Sequence, residues 1–250
     1  MPTEDRPDRL AVLIDADNTS AKIADGLFEE IAKIGEASVR RIYGDISSSR
    51  SKGWSDIQAK HALIWQQQTP HTTGKNASDI TLVIDAMDLL HSGRFAGFCL
   101  VSSDSDFTRL AARIREEGID VYGFGEQKTP ESFRQACRRF IYTENLLPKP
   151  PATEATPGAR SLEPVRNAVI VLRRIIQDVE SEDGWVQLGI IGAQLANLAP
   201  DFDPRTYGHK KLSDLVRNVP VFEVGTSPGN ALRVRLKPKA AAKKVSPKAR

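Results

Sequence analysis

The sequence predicts an α/β protein: a parallel sheet with helices on both faces, followed by a small winged helix-turn-helix domain. The first observation is an alternation, from Leu10 to Tyr142, of short apolar runs with longer stretches of helical periodicity. Such alternation is typical of parallel strands joined by crossover helices. The second observation is a proline-rich stretch that interrupts the pattern after residue 147. The third is the return of helical periodicity beyond that stretch, ending in two short strands.

Short apolar segments in the first part are predicted strands. Two of them, residues 10–15 and 95–102, are apolar nearly throughout, as central strands buried on both faces are. In chain order, the predicted strands are LAVLID, SVRRIYG, FAGFCLVS, VYGFG and RRFIYT. The predicted helices cover residues 20–34, 55–67, 79–91, 107–117 and 130–138.

The stretch between the two parts is predicted to be a linker. Residues 148–161 combine small and charged residues with clustered prolines, which stiffen a chain without burying surface. We therefore expect a first domain over residues 1–147 and a second over 162–237, each folding independently. The remaining residues, 238–250, are rich in Lys, Ala and Pro and are predicted to be disordered.

The second domain begins with a helical stripe of apolar residues from Glu163 to Val179. A short strand-like segment around Trp185–Leu188 follows, and then come predicted helices near 189–198 and 204–218. The segments VFEV and ALRVRL flank the turn GTSPGN and are predicted strands. A helix, a short strand, two helices and a two-stranded ribbon make a winged helix-turn-helix domain.

The charge of the chain is divided unevenly between its two halves. The net charge of +3 combines a slightly acidic first domain with a second half in which Lys and Arg clearly outnumber Asp and Glu. A basic region attracts polyanions such as nucleic acids. The basic segment at residues 238–250 is either a solubilising tail or a nonspecific nucleic-acid contact.

Targeting signals and cysteine chemistry exclude several classes of protein. The first ten residues carry acids and prolines where a secretory signal has an apolar stretch, and no later run reaches a membrane-spanning length. We therefore expect a cytoplasmic protein without membrane association. The two cysteines, Cys99 and Cys137, lie in unrelated apolar contexts, which predicts buried thiols rather than a disulfide or a zinc site.

Acidic residues follow the predicted strands at places that a parallel sheet brings together. Asp15 and Asp17 end the first strand, Asp79 opens a helix, and Asp104 and Asp106 follow the strand FCLV. Ligands of open α/β sheets bind at the carboxyl ends of the strands. Clustered carboxylates repel one another unless a cation neutralises them, and their oxygens suit Mg²⁺ or Mn²⁺. The sequence therefore predicts a divalent metal site at this edge.

Helix capping is the alternative role for each acid taken singly. Asp15 and Asp104 lie at the strand ends, where capping does not account for them. For the other positions, capping stays open. Asp17 or Asn18 is a candidate cap for the helix from about Ser20. Ser78 and Asp79 are candidates at the next helix, and Ser105 or Asp106 at the third.

The segments LIDADN, GKNASD and SSDSDF resemble, in order and spacing, the three acidic motifs of NYN domains, which are PIN-like nucleases. The resemblance covers about Leu10 to Asn145 and implies a PIN-like parallel sheet. It further implies a metal site formed by Asp15, Asp79 and Asp104, with the fourth catalytic acid, Asp106, nearby. Such a site cuts RNA by metal-activated water.

The same resemblance assigns substrate-binding residues. Asn18 matches the polar residue after the first acid, and Lys75 matches a basic residue that would hold the scissile phosphate as a point charge. Asp85 falls where the family often has an acid, but its spacing on the helix turns it away from Asp79, which predicts either support of the metal-binding acids or a structural role.

Two other interpretations concern the first domain. The segment from Asp15 to Thr19 also resembles the first motif of haloacid-dehalogenase-type phosphatases, although SSDSDF lacks the acid spacing of that family's last motif. The polar, basic run Ser47–Lys52 is predicted to be a mobile loop. With Trp54 beside it, this loop is also a candidate for stacking a base of single-stranded RNA.

The second domain resembles the OST-HTH domain, also called LOTUS, over about Leu162 to Lys237. This resemblance implies binding of single-stranded or structured RNA, or, in other members, a protein partner. Lys210 and Lys211 are candidate phosphate contacts on the second helix, with Arg233 and Arg235 in the wing. The residues that carry the resemblance are Asp183-Gly184-Trp185-Val186, Phe202-Asp203-Pro204, Tyr207-Gly208, Lys210-Lys211-Leu212 and Asp214-Leu215.

Two aromatic residues of this domain, Trp185 and Tyr207, are predicted to be core anchors.

For the whole chain, the sequence favours a metal-dependent endoribonuclease with an appended RNA-binding domain. The competing interpretation is a catalytically silent RNA-binding or scaffold protein. The three acids Asp15, Asp79 and Asp104 favour the enzyme, because acids on a surface that only binds RNA would repel phosphate.

Overall fold

The structure is a computed structural model that describes residues 7–237 except 47, 49–50, 67–76, 149–161, 180, 182 and 228. The predicted linker, apart from Pro148, and the predicted basic tail lie outside the described residues, as does Lys75. Within the described ranges, no helix is both long enough and apolar enough to cross a membrane.

The first domain contains a parallel sheet of six strands. The strands are β1 (Arg9–Asp15), β2 (Glu36–Tyr43), β3 (Ile64–Trp65), β4 (Gly97–Val101), β5 (Asp120–Gly125) and β6 (Arg139–Tyr142). Their order across the sheet is β3-β2-β1-β4-β5-β6. The helices are α1 (Ala24–Ile31), α2 (Lys52–His61), α3 (Ala77–His91), α4 (Thr108–Glu116) and α5 (Glu131–Ala136), with short 3-10 helices at Ala21–Ile23, Ser105–Phe107 and Thr143–Asn145.

Helices cover both faces of this sheet, as predicted. Along β1, Leu10 and Val12 face α1 and α2, whereas Ala11 and Leu13 face the side of α3, α4 and α5. Because side chains alternate across a strand, a run that is apolar throughout supplies both cores. Both cysteines are buried and free, as the sequence predicts.

The strand order places a crevice at the centre of the sheet. The chain runs from β1 outward through β2 to β3, then crosses by α3 to β4 on the other side of β1. At such a reversal, the loops after the two central strands turn in opposite directions and leave room for a ligand. The residues after β1 and β4 therefore border the same crevice.

The structure corrects two predicted elements of the first domain. The helix predicted over 55–67 ends at His61, because Ala62 adopts a left-handed conformation with φ of 51°, and Ile64–Trp65 then pairs with β2 as an edge strand. The helix predicted over 20–34 consists of a 3-10 turn and α1, and it ends earlier, at Ile31.

The second domain comprises α6 (Val165–Asp178), β7 (Val186–Gln187), α7 (Leu188–Leu198), a 3-10 helix at Pro204–Tyr207, α8 (Leu212–Asn218), β8 (Phe222–Thr226) and β9 (Leu232–Leu236). Its strands form an antiparallel sheet in the order β7-β9-β8, called the wing sheet below. The helix predicted over 204–218 is divided, because Gly208 adopts a left-handed conformation with φ of 83°. Lys210 and Lys211 consequently precede α8 instead of lying on it.

The segment 200–206 of the second domain contacts the first domain at β6, the edge strand. The backbone N–H of Phe140 donates to the carbonyl of Pro200 at 2.8 Å, and the hydroxyl of Tyr142 donates to Asp201 Oδ2 at 2.7 Å. Arg205 Nη1 lies 3.0 Å from Glu30 Oε2 of α1. These contacts cover an otherwise open sheet edge. Independent folding of the two domains stays a prediction.

Candidate active site

Asp15 is the last residue of β1, and its side chain is held by four hydrogen bonds. Oδ1 accepts the backbone N–H groups of Asp17 and Asn18, both at 3.1 Å. Oδ2 accepts the Asn18 amide at 2.9 Å and the hydroxyl of buried Ser102, which follows β4, at 2.7 Å. Only 1% of Asp15 is exposed. Burial raises the pKa of Asp15 above its usual range, although the bonds from Ser102 and Asn18 act in the opposite direction.

Asp17 connects the loop after β1 to neighbouring elements. Its Oδ1 accepts the backbone N–H of Asp45 and the hydroxyl of Ser51, both at 3.4 Å. Its Oδ2 accepts the hydroxyl of Ser78, at the start of α3, at 3.3 Å. The capping role considered for Asp17 and Asn18 belongs instead to Ser20, whose hydroxyl accepts the N–H of Lys22.

Asp104 follows β4 and caps the 3-10 helix that begins at Ser105. Its Oδ1 accepts the backbone N–H of Asp106 at 2.9 Å, and its own N–H donates to Ser102 Oγ at 3.0 Å. Capping was expected from Ser105 or Asp106, and Asp104 was expected to have no capping role, so both expectations were wrong. Asp106 itself is exposed. Ser102 thus joins the two strand-end acids, Asp15 and Asp104, through a single hydroxyl.

Asp79 lies in the first turn of α3 and completes the group of acids. Its pKa is raised to about 6, first by burial and then by the negative charges of four carboxylates, which belong to Asp15, Asp104, Asp17 and Asp106. The structure therefore brings the acids of all three sequence motifs within electrostatic range of one another. We call these five residues the acid cluster. Mutual repulsion of this kind costs stability in the absence of a neutralising charge.

The acid cluster fits a divalent cation by the chemistry of its donors. Carboxylate and hydroxyl oxygens are the ligands that Mg²⁺ and Mn²⁺ prefer. In the described part of the chain, no group of three or more His, Cys, Asp or Glu side chains is arranged so that it could hold a metal ion. The cluster is thus a set of repelling acids, and Ser102 links two of its members, Asp15 and Asp104, by hydrogen bonds.

A cleft of about 400 Å³ opens beside the acid cluster. Asn18 lines it, but its amide donates to Asp15, so Asn18 orients the carboxylate, and substrate contact stays a prediction. Lys128, after β5, also lines the cleft and forms an ion pair with Glu126 at 2.8 Å. Sequence reasoning missed Lys128, although its place after a parallel strand was a usable signal. The lining residues are Ala16, Asp17, Asn18, Thr19, Ser20, Glu126 and Lys128.

Two further first-domain residues have structural roles. Asp85 accepts the Tyr43 hydroxyl at 2.7 Å and pairs with Arg41 at 2.9 Å, which confirms its predicted structural role. Trp54 is fully buried, and its indole N–H donates to the carbonyl of Thr19 at 2.8 Å. Base stacking on Trp54 is therefore excluded, because the helix that begins at Lys52 turns the indole into the core.

The second domain exposes part of its predicted nucleic-acid surface. Lys210 and Lys211 are both exposed, and Lys211 immediately precedes α8. Tyr207 packs against the core, as predicted. Trp185 does not belong to that core; instead, the guanidinium groups of Arg233 and Arg235 lie over its ring.

Comparison with known proteins assigns families to both domains. The family model of the NYN domain matches residues 9–146, and that of the OST-HTH/LOTUS domain matches residues 164–234. The NYN family belongs to the PIN-like nucleases, which generally use divalent metals, and OST-HTH/LOTUS domains bind RNA. Because the first domain matches the NYN family, the alternative assignment to the haloacid-dehalogenase-type phosphatases is wrong. Among curated proteins, no match was found.

Two solved structures are similar to parts of the chain. One is a protein of unknown function from Vibrio parahaemolyticus, 17% identical, with a TM-score of 0.45, covering 56% of this chain and 95% of its own. The other is an uncharacterized protein from Nitrosomonas europaea, 33% identical, with a TM-score of 0.27, covering 38% of this chain and 91% of its own. The parallel sheet and the acid cluster are consistent with the family models. The chain belongs to the NYN domain family, and its NYN domain is followed by an OST-HTH/LOTUS domain.

Proposed function

We propose that the chain is a metal-dependent endoribonuclease in which the acid cluster cleaves RNA that the second domain helps to bind. The observation that carries this proposal is the environment of Asp79, a carboxylate surrounded by four others. Acids so placed repel both one another and a phosphate backbone. Their arrangement becomes favourable when a divalent cation joins them.

Asp15, Asp79 and Asp104 would hold the cation, which is Mg²⁺ or Mn²⁺. When bound, such an ion supplies an activated water and stabilises charge on the phosphodiester. Ser102 and Asn18 fix the orientation of Asp15 through hydrogen bonds of 2.7 and 2.9 Å. A carboxylate held in this way loses little freedom when it binds a ligand.

The cleft beside the cluster is proposed to take the RNA strand. Lys128, largely exposed at the cleft, is placed to contact a phosphate. The family resemblance assigns the same task to Lys75, and Asp106, exposed at the rim, is the fourth candidate catalytic acid. Lys210 and Lys211 of the second domain would hold the RNA beyond the site by phosphate contacts. Binding there raises the local concentration of RNA at the acid cluster.

The test is cleavage of an end-labelled single-stranded RNA with Mn²⁺ or Mg²⁺, with and without a chelator. We expect cleavage by the wild type that the chelator abolishes, and its loss in Asp15→Asn, which keeps the size of the side chain but removes a charge. Asp88→Asn, an exposed acid on the same helix as Asp79, is the matched control and should cleave normally. A DNA strand of the same sequence tests the choice of RNA.

Three results would contradict the proposal. Metal-independent cleavage would exclude the cation, and cleavage by Asp15→Asn at the wild-type rate would exclude the acid cluster. A wild type that binds RNA without cutting it would favour a silent RNA-binding protein. Melting temperatures of all variants should be measured alongside, so that lost activity is not mistaken for unfolding.

A further inference from the structure

The wing sheet has an inner and an outer face, and three large side chains occupy the outer one. Val234 of β9 pairs with Val186 of β7, and both are buried in the core of the second domain. Side chains alternate between the faces of a strand. The neighbours Arg233 and Arg235 therefore lie on the opposite, outer face, and Trp185, which precedes β7, contacts both of them there.

These three side chains are in contact with one another. The guanidinium carbon of Arg233 is 4.6 Å from the centre of the Trp185 ring, and that of Arg235 is 4.5 Å from it. Both distances are well within the range of cation–π attraction. The three residues form one group of flat, stackable side chains, which we call the Trp185 stack.

The backbone beneath the Trp185 stack is shaped to accept the indole. Gly225 of β8 pairs with Arg233 across the sheet. A Cβ atom added at Gly225 would come within 3.0 Å of Cη2 and 3.1 Å of Cζ3 of Trp185. The indole thus lies directly on the backbone of β8, and a larger residue at 225 would lift it away.

Carboxylates orient the two arginines without using all of their donors. Arg235 donates its Nε–H to Glu223 at 2.8 Å, and Arg233 reaches Asp183 at the longer distance of 3.5 Å. Within the part of the chain that the structure describes, Nε of Arg233 is buried and has no hydrogen-bond partner. An arginine has five N–H donors, so each guanidinium keeps donors for a ligand.

We propose that the Trp185 stack is a binding site for an unpaired nucleotide of single-stranded RNA. Single-stranded nucleic acid is recognised when its bases stack on aromatic rings or guanidinium planes. The forks of Arg233 and Arg235 suit a phosphate of the same strand. Duplex RNA hides the faces of its bases and fits this site poorly. The inference rests on RNA as the ligand in the proposed function, but it does not depend on cleavage.

Binding of a labelled, unstructured RNA to the full chain, in a chelator that prevents cleavage, tests the proposal. Trp185→Leu should weaken binding about tenfold or more, because the ring that holds the two guanidinium planes in place for a stacked base is lost. Trp185→Phe keeps an aromatic face and should retain most of the affinity. Arg173→Gln removes a cation from the exposed side of α6 and serves as the matched control, with affinity near that of the wild type. The same RNA in a duplex should bind less tightly than the single strand.

Two further variants keep the proposal testable if Trp185→Leu unfolds the domain. Arg233→Lys and Arg235→Lys retain the charges but remove the planar forks, and they should lower the affinity without changing the melting temperature. A Gly225→Val variant should weaken binding while leaving all three contact residues present.

The possible failures are distinguishable. If the wild type binds the RNA and Trp185→Leu, Arg233→Lys and Arg235→Lys bind it equally well, the Trp185 stack is not the site, and the proposed function stands. Preference for the duplex would likewise overturn the site. If the wild type binds no RNA at all, the RNA ligand is wrong, and both proposals fall.

Discussion

Two carboxylates of the first domain, Asp79 and Glu30, have opposite surroundings. Asp79 is half-buried among four other acids, and its pKa is raised to about 6. Glu30 is almost fully buried at the contact between the domains, and burial alone would raise its pKa. Its pKa is nevertheless lowered, because Lys33, Arg205 and Arg139 surround it with positive charge. Glu30 therefore stabilises the fold, whereas the acids near Asp79 raise its pKa and oppose its ionisation.

This difference separates an acid whose charge the fold neutralises from one that the fold leaves among like charges. The partners of Glu30 are supplied by the chain itself, at 2.9 Å for Lys33 and 3.0 Å for Arg139 and Arg205. For Asp79, the carboxylates of the four other cluster acids all raise the pKa, as burial does. A fold that keeps such repulsion does so at the expense of stability, which is a common feature of catalytic sites.

Glu30 is predicted to have the largest effect on stability. Glu30→Gln removes the charge that holds Arg205 and should destabilise the chain by about 2 kcal/mol. The loss is no larger because the cationic partners of Glu30 are partly exposed to water. Chemical denaturation would measure the loss. Glu29→Gln, at an exposed neighbour on the same helix, is the control and should change stability by less than about 0.5 kcal/mol. Equal effects of the two variants would show that the contact contributes nothing.

The pH dependence of the same contact has a defined sign. Because the pKa of Glu30 is lower in the folded chain than its usual value of 4.5, its contribution is fully present above that value. The contribution is lost as the pH falls through the folded-state pKa. The stability difference between wild type and Glu30→Gln should therefore shrink on acidification, and a difference that grows would contradict this assignment.

Asp104 has both a structural role, as a helix cap, and an electrostatic role, as a charge that acts on Asp79. It caps a 3-10 helix through Asp106, and it also adds negative charge to Asp79. Asp104→Ala removes the cap and should cost about 1 kcal/mol. Asp104→Asn keeps a capping oxygen and relieves repulsion, so it should be neutral or stabilising in metal-free buffer. Thermal unfolding of both variants distinguishes the two roles; equal destabilisation would show that relief of repulsion is negligible.

The sheet and the acid cluster were accessible from sequence for a physical reason. Parallel strands buried on both faces leave continuous apolar runs, and their carboxyl ends meet at one edge, so Asp15 and Asp104 could be placed together. The strand β3 was missed because two residues carry no periodicity. The left-handed conformation of Ala62, which ends the helix before β3, has no signal in a residue that favours helices.

Contacts between distant residues were not predictable in the same way. Glu30 and Arg205 lie far apart in the chain, and nothing local to either residue indicates the pair. The outward position of Trp185 had a weak signal in the sequence, because apolar Val186 beside it was expected to face the core and neighbouring strand residues alternate. Trp185 was expected in the core because its side chain is large and aromatic, and this expectation was wrong because the alternation decides its position.

The most direct test of the acid cluster is the melting temperature of wild type and Asp79→Asn, each with a chelator and with Mn²⁺. In chelator, Asp79→Asn should melt about 2 °C higher or more, because one repelling charge is gone. With Mn²⁺, the wild type should gain stability, and the variant should lose most of that gain. A wild type that Mn²⁺ leaves unchanged, together with a variant that melts lower in chelator, would contradict the account.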